Sequence, residues 1–219
     1  MAWTTPGTAT AGEVLTAAFW NANVRDNSIM GNPVYDNEAA RDAAITAPSE
    51  GQRAYLTAPT IPAATGEFTA IPTGIVTIYN GSVWVCCTPV FARTTNRGTT
   101  TSGSYTATLS GTPGTNPSVT LVTGTTAIVT VTARMSNSLV GNGVGVAVAV
   151  SGAGSVAAGS GSEAYYVTPI AGEAYFHQMT STVVLTGLTA GTNTFAANYR
   201  ATGGTGYYEE RRVIVTGLA

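Results

Sequence analysis

The residue types that could carry chemistry are few and dispersed. The single histidine, His177, sits in Tyr175-Phe176-His177-Gln178 without an Asp, Glu or Cys at metal-ligand spacing. Neither a zinc site nor a serine triad is indicated, and a structural or interface histidine is expected. Glu163, Glu173, Glu209 and Glu210 could in principle supply a glycosidase acid pair, but such a pair works only at a set separation that nothing in their spacing provides. Cys86 and Cys87 are adjacent. Neighbouring strand residues point to opposite faces, so a disulfide between them would be strained, and they read as reduced, partly buried small hydrophobes. The glycines of Gly141-Asn142-Gly143-Val144-Gly145 and of residues 152–162 neither open a helix nor carry the lysine of a phosphate loop. They are expected to be turns, the longer one a flexible loop. No catalytic residue, metal ligand or cofactor site follows, and an enzyme is not expected.

Two groups of side chains suggest contact surfaces instead. Glu209-Glu210-Arg211-Arg212 alternates along a strand, with Glu209 and Arg211 on one face and Glu210 and Arg212 on the other. If the strand belongs to a sandwich, one pair faces inward or into an interface, where a neighbouring copy could complete it around a symmetry axis. The alternative is an edge strand with both faces wet. Tyr207, Tyr208, Arg211 and Arg212 are therefore the candidate subunit-interface or surface-recognition residues. Exposed aromatics such as Tyr165, Tyr166, Tyr207 and Tyr208 would also suit a carbohydrate-binding module whose partner is a surface glycan.

The background that must position these groups is a 219-residue chain that is 44 % hydrophobic and only 9 % charged, with nine arginines, no lysine, eleven acidic residues and a net charge of -2. Scattered arginines and no lysine argue against nucleic acid. The charge shortfall is made up with Thr, Ala, Ser and 26 Gly, and Thr with Val favours half-buried strands. A surface so poor in charge suits a subunit within an assembly better than a lone monomer. No run of about 18 apolar residues and no basic-then-apolar leader is present, so neither membrane insertion nor a signal peptide is expected.

Three regions are expected. Residues 1–32 hold an amphipathic helix, Leu15 to Ile29, whose Leu15, Phe19, Trp20 and Val24 share a side that must pack on its own chain or dock on another protein. Residues 33–90 form a small α+β module. Asp36 caps a helix from Asn37 to Ile45, Gln52 to Thr57 is a strand, and Asn80-Gly81 is a two-residue hairpin turn between Ile75–Tyr79 and Ser82–Cys86. That turn pairs Tyr79 with Ser82 and Ile78 with Val83, gathering Val76, Ile78, Val83 and Val85 on a core face, with Tyr79 and Trp84 on the other against a helix, a subunit or a sugar. Residues 91–219 read as an antiparallel, jelly-roll-like β-sandwich. Its strands are expected at Ser118–Val122, Ala127–Met135, Gly143–Val150, Ala164–Val167, Thr180–Leu185, Asn193–Arg200 and Glu209–Val215. Val129, Val131 and Ala133 mark one inner face and Phe195, Ala197 and Tyr199 another.

Several segments resemble a known family. Met1-Ala2-Trp3-Thr4-Thr5-Pro6 with Ala11–Ala18 and Asn21–Asn27 is similar to the N-terminal segment of tailed-bacteriophage minor tail or fibre proteins. Arg41–Ile45, Pro48–Gln52 and Tyr79–Trp84 resemble a short module recurring in such proteins, and Leu188–Phe195, Tyr199-Arg200 and Arg211–Val215 resemble the last strands of their jelly-roll domains. The resemblance covers about half the chain, leaves 91–125 unmatched and implies no catalytic residue. It implies a virion component, most simply a homotrimeric tail-associated spike or fibre assembled in the host cytoplasm. Its N-terminal segment would anchor on other virion proteins of the tail or capsid while the β domain projects, with host-surface contact as an added role. A head-decorating fibre is the alternative it leaves open.

Overall fold

The computed structural model describes residues 32–169 and 175–219. The expected N-terminal helix with Leu15, Phe19, Trp20 and Val24, and also Glu173, lie outside the described residues. The rest is mainly β, as the composition demands, and divides into a small four-stranded sheet with one helix and a two-sheet antiparallel sandwich.

In the small module β1 (Val34–Tyr35), β2 (Arg53–Leu56), β5 (Ile75–Tyr79) and β6 (Trp84–Cys86) lie in that order, and α1 (Glu38–Ala44) covers one face. Asn37, not Asp36, caps α1: its side chain accepts the Ala40 N–H at 3.0 Å. Seven residues are too few for a stable isolated helix, and α1 is held by packing. Buried Arg41 lays its guanidinium over Trp84, 4.6 Å from the ring centroid, and reaches the Thr77 hydroxyl.

The hairpin differs from the expected register by two residues. Tyr79 pairs with Trp84, Ile78 with Val85 and Thr77 with Cys86. A two-residue type I′ turn needs positive φ at both central residues, yet only Gly81 has it, at 90°. Asn80 instead turns the chain with its side chain, accepting the N–H groups of Ser82 at 3.1 Å and Val83 at 3.0 Å, so the loop takes four residues. A two-residue shift preserves the faces, and Tyr79 and Trp84 do share one, with ring centroids 5.5 Å apart. Which face is core is reversed. Ile75, Thr77, Trp84 and Cys86 are buried toward α1, while Val76, Ile78 and Val83 are only half-buried. Val85 alone of the expected set is fully buried, at the junction with the sandwich, where it approaches Gly124 and Gly217.

The sandwich has one sheet in the order β13 (Ala164–Val167), β12 (Gly143–Gly152), β15 (Gly191–Ala201), β10 (Ser118–Thr123), β3 (Ala63–Thr65). The other runs β14 (His177–Thr186), β11 (Thr126–Asn137), β16 (Gly206–Leu218), β7 (Val90–Thr94), β4 (Phe68–Ala70), with β8 (Gly98–Thr100) beside β16 and β9 (Ser110–Gly111) beside β8. Every strand expected beyond residue 117 forms. Val129, Val131, Ala133, Phe195, Ala197 and Tyr199 are buried between the sheets. β3 and β4, from the 33–90 stretch, join the two sandwich sheets at their edges, tying module to sandwich. The 152–162 stretch is not a loose loop: Val156 bridges Val150, and the Ser162 hydroxyl accepts the Val148 N–H at 3.1 Å.

The chain leaving the module toward β3 is fastened by Glu38, whose carboxylate accepts the N–H of Thr60 and of Ile61 at 3.0 Å each and the Thr60 hydroxyl at 2.8 Å. Burial pushes this carboxyl up, but the backbone and hydroxyl donors together outweigh it and hold its pKa below the usual value. A lowered folded-state pKa stabilises fully above the ordinary carboxylate pKa of about 4.3 and is lost as pH falls through the folded value. Urea midpoints measured from pH 7 downward should therefore drop below about pH 4.3, and Glu38→Gln should make that acid-side drop smaller.

Candidate functional site

The structure separates the four residues grouped as a contact surface. β16 is an inner strand, paired with β11 on one side and with β7 and β8 on the other, so the edge-strand alternative does not hold. Opposite Thr132 and Arg134 it carries a bulge at Glu210, the one described non-glycine residue with positive φ, at 51°. The extra residue breaks the alternation on which the expected faces rested. Glu209 and Glu210 both turn outward, and Tyr208 and Arg211 both turn in. Arg211, 1 % exposed, is completed by its own chain rather than by a neighbouring copy. Its Nη2 donates to the carbonyls of Pro113 and, at 3.2 Å, Asn96; its Nη1 donates to the Tyr199 hydroxyl at 3.4 Å, and its guanidinium lies over that ring. Tyr208, also buried, donates to the Arg200 carbonyl. Of the four, only Tyr207 and Arg212 reach the outer face, half-exposed.

On that outer face Glu209 meets Arg134 at 2.8 Å and Arg97 at 3.6 Å, and Glu210 meets Arg93 at 2.8 Å and Arg212 at 3.9 Å. Phe176 lies under Arg97 and Arg134, with cation-to-centroid distances of 5.1 Å and 5.5 Å. Both carboxylates are thus committed to guanidinium groups. His177 begins β14 and stacks on Tyr166 with ring centroids 4.5 Å apart. Burial pushes the Cys86 thiol up to about 11 and raises Cys87 as well, so neither is poised as a nucleophile.

A second cluster, of which sequence reasoning singled out Glu163 and Tyr165 but not their grouping with Arg200 and Tyr105, lies on the outer face of the five-stranded sheet. Arg200 of β15 pairs across the ladder with Gly145 of β12, and Gly145 with Tyr165 of β13. Glu163, just ahead of β13, reaches over Gly145 and holds Arg200 with both oxygens, at 2.8 Å and 2.9 Å, its side chain only 7 % exposed. The guanidinium lies over the rings of Tyr105 and Tyr165, 5.1 Å and 5.4 Å from their centroids. Tyr105 is brought there because Thr106 exchanges backbone hydrogen bonds with Tyr199, one residue from Arg200. Gly143 and Gly145 are the floor: a Cβ would stand 1.7 Å from the Tyr165 hydroxyl at the first and 1.8 Å from the Glu163 carboxylate at the second. The available signal was the G-x-G alternation on a strand facing Tyr165, which marks close approach from above.

Beside this cluster is the end of the sandwich remote from the module. Val85 meets Gly124 and Gly217 at one end, whereas the β11–β12 turn lies at the other, about 40 Å away at ~3.3 Å per residue of β11. That turn exposes Leu139 (50 %) and Val140 (57 %), and hydrogen bonds between Gly141 and Thr168 and between Thr168 and Asn142 set it against Val167 (48 %).

Two consequences can be measured. Arg211→Leu removes the donors to the Asn96 and Pro113 carbonyls and to the Tyr199 hydroxyl and should cost about 3 kcal/mol in chemical denaturation, against less than about 1 kcal/mol for Arg212→Leu at the surface. Iodoacetamide at pH 8 should leave Cys86 unmodified in folded protein and alkylate it once urea unfolds the chain; modification of the folded protein would contradict its burial.

No protein-family model matches the chain, and no curated protein matches it in sequence. Among solved structures it is similar to Eiger TNF from S. frugiperda, at 13 % identity over 59 % of this chain and 92 % of that one, TM-score 0.39. It is also similar to the infectious bursal disease virus Gt strain structure, at 12 % identity over 66 % and 43 %, TM-score 0.40. The CBM22-1 xylan-binding domain of Paenibacillus barcinonensis Xyn10C is 11 % identical over 56 % and 88 %, TM-score 0.25. The chain therefore spans less than half of the bursal disease virus protein it matches. All three TM-scores are below 0.5, and no family follows from them.

Proposed function

We propose that the chain is a non-enzymatic structural subunit of a tailed-phage virion: a tail-associated spike or fibre protein, anchored through residues 1–32 and projecting its sandwich as a homotrimer. The observation that carries the assembly is β14. Among the described residues it is the outer strand of its sheet, ten residues long, and it contains no charged residue and no proline. Long edges of this kind are ordinarily blunted by charge, proline or a bulge, because their open backbone groups recruit another chain. Here the face alongside is apolar too, with Ile128 37 % and Val184 57 % exposed as direct cross-strand partners. A second copy covering β14 satisfies both features. The N-terminal anchor is supported by the resemblance of residues 1–27 to phage tail and fibre segments and by the tie between module and sandwich, which leaves the opposite end of the sandwich to project.

Light scattering should give three times the 22.2 kDa chain mass, and Val184→Lys, which places a charge on the covered face, should shift the protein to monomer. A wild-type monomer at micromolar concentration would remove the trimer. Deleting residues 1–32 should abolish incorporation into particles, and normal occupancy of the truncated protein would remove the anchor. Imaging labelled particles locates the chain: density on the tail supports the spike, and density on the capsid makes it a head fibre.

A further inference from the structure

We infer that the Tyr105–Glu163–Tyr165–Arg200 cluster, with exposed Val167 on the same face of β13 as its apolar rim, is a binding site for an uncharged pyranose of a polysaccharide. Three features select that ligand. The Arg200–Glu163 pair is held by two hydrogen bonds and sums to zero charge, so a charged ligand would gain no uncompensated partner there. Arg200 spends Nε and Nη2 on Glu163, and a guanidinium has five N–H donors in a planar fork, so further donors remain for sugar hydroxyls. Tyr165 offers a half-exposed ring and the rim offers aliphatic surface, which together suit the C–H faces of a pyranose while the polar groups take its hydroxyls.

The cluster is also built in advance. Its carboxylate is more than nine-tenths buried, its glycine floor admits the Glu163 and Tyr165 side chains, and Tyr105 is hydrogen-bonded into place through Thr106. A ligand would find the donors and the ring already oriented, so little ordering cost falls on binding. A role for the site in touching a host surface rests on the virion reading above, which puts this end of the sandwich outward. The ligand chemistry does not, and it is tested on the isolated full-length protein.

Saturation-transfer difference NMR with the methyl glycosides of glucose, galactose, mannose and N-acetylglucosamine should give transfer to the ring protons of at least one, and an array of neutral and acidic oligosaccharides should favour neutral ones. Tyr165→Ala should weaken binding of the best neutral glycan about tenfold, a change typical of losing one aromatic platform. Arg200→Lys, which keeps the charge opposite Glu163 but loses the fork, should weaken it with the urea midpoint little changed. Ile71→Ser, at an exposed position between β4 and β5, should leave affinity as it is. No binding of any neutral sugar at millimolar concentration, preference for acidic glycans, or equal affinity in Tyr165→Ala would each overturn the site while leaving the trimer and anchor measurements untouched.

Discussion

The sandwich turns on Arg211, a buried cation that meets no carboxylate directly among the described residues. Arg211 comes from the inner strand of one sheet and ends on Tyr199 of the other, and on the way it gathers the carbonyls of Asn96 and Pro113. Burying a guanidinium is costly, and here carbonyl dipoles and an aromatic face offset that cost in place of a salt bridge. The arrangement extends further: the Tyr199 hydroxyl donates to Asn116 at 2.8 Å, and Asn116 donates to the Ala197 carbonyl at 2.9 Å. The irregular segment from 95 to 117 is thereby fixed at several points to both sheets. Tyr105 of the second cluster belongs to that segment and is tied to the same network through the backbone pairing of Thr106 with Tyr199.

Much of this architecture is legible along the chain, because burial on one face of a strand forces a period of two. Ala127 to Ala133 and Phe195 to Tyr199 follow that period and lie where it puts them. The misreadings come from places where local geometry overrides the period. Asn80-Gly81 has the composition of a type I′ turn, but the Asn80 side chain can close a longer loop, and dipeptide identity does not choose between the two. Glu210 is a larger failure of the same kind. One extra residue rotates Arg211 from the face shared with Glu209 into the core, and a bulge occupied by glutamate rather than glycine gives no warning. Residues 91–117 gave no strand signal because β7, β8 and β9 are short and, apart from the β8–β9 pairing, join strands far along the chain. The Arg200 site was equally hidden, since its members are spread from 105 to 200 and meet only through β12.

The shortage of charge has a structural counterpart in how the charges are spent. Arg41, Arg93, Arg97, Arg134, Arg200 and Arg212 each meet a carboxylate. The guanidinium groups of Arg41, Arg93, Arg97, Arg134 and Arg200 also lie over aromatic rings: Trp84, Phe68, Phe176 and the tyrosines of the second cluster. A planar, weakly hydrated guanidinium can serve a carboxylate in its plane and a ring on its face at once, which an ammonium cannot, and this accounts for a chain with arginine and no lysine. Surfaces made this way are nearly neutral and partly aromatic, the character of contact surfaces rather than of surfaces selected to repel neighbours.

Placement of these surfaces follows from the strand directions. The module meets the sandwich where Val85 reaches Gly124 and Gly217, so the strand ends at Asn137, Gly143 and Gly206 lie at the far end. The two outer faces then have different work. β14 itself is a long, uncharged outer strand among the described residues, whereas Arg134 of β11 and the Glu209–Glu210 ion pairs of β16 charge the face beside it; in the proposed assembly the β14 edge is the contact between copies. The Arg200 cluster lies on the outer face of the opposite sheet. In the proposed assembly, the β14 contact and the Arg200 cluster therefore draw on different sheets of the sandwich.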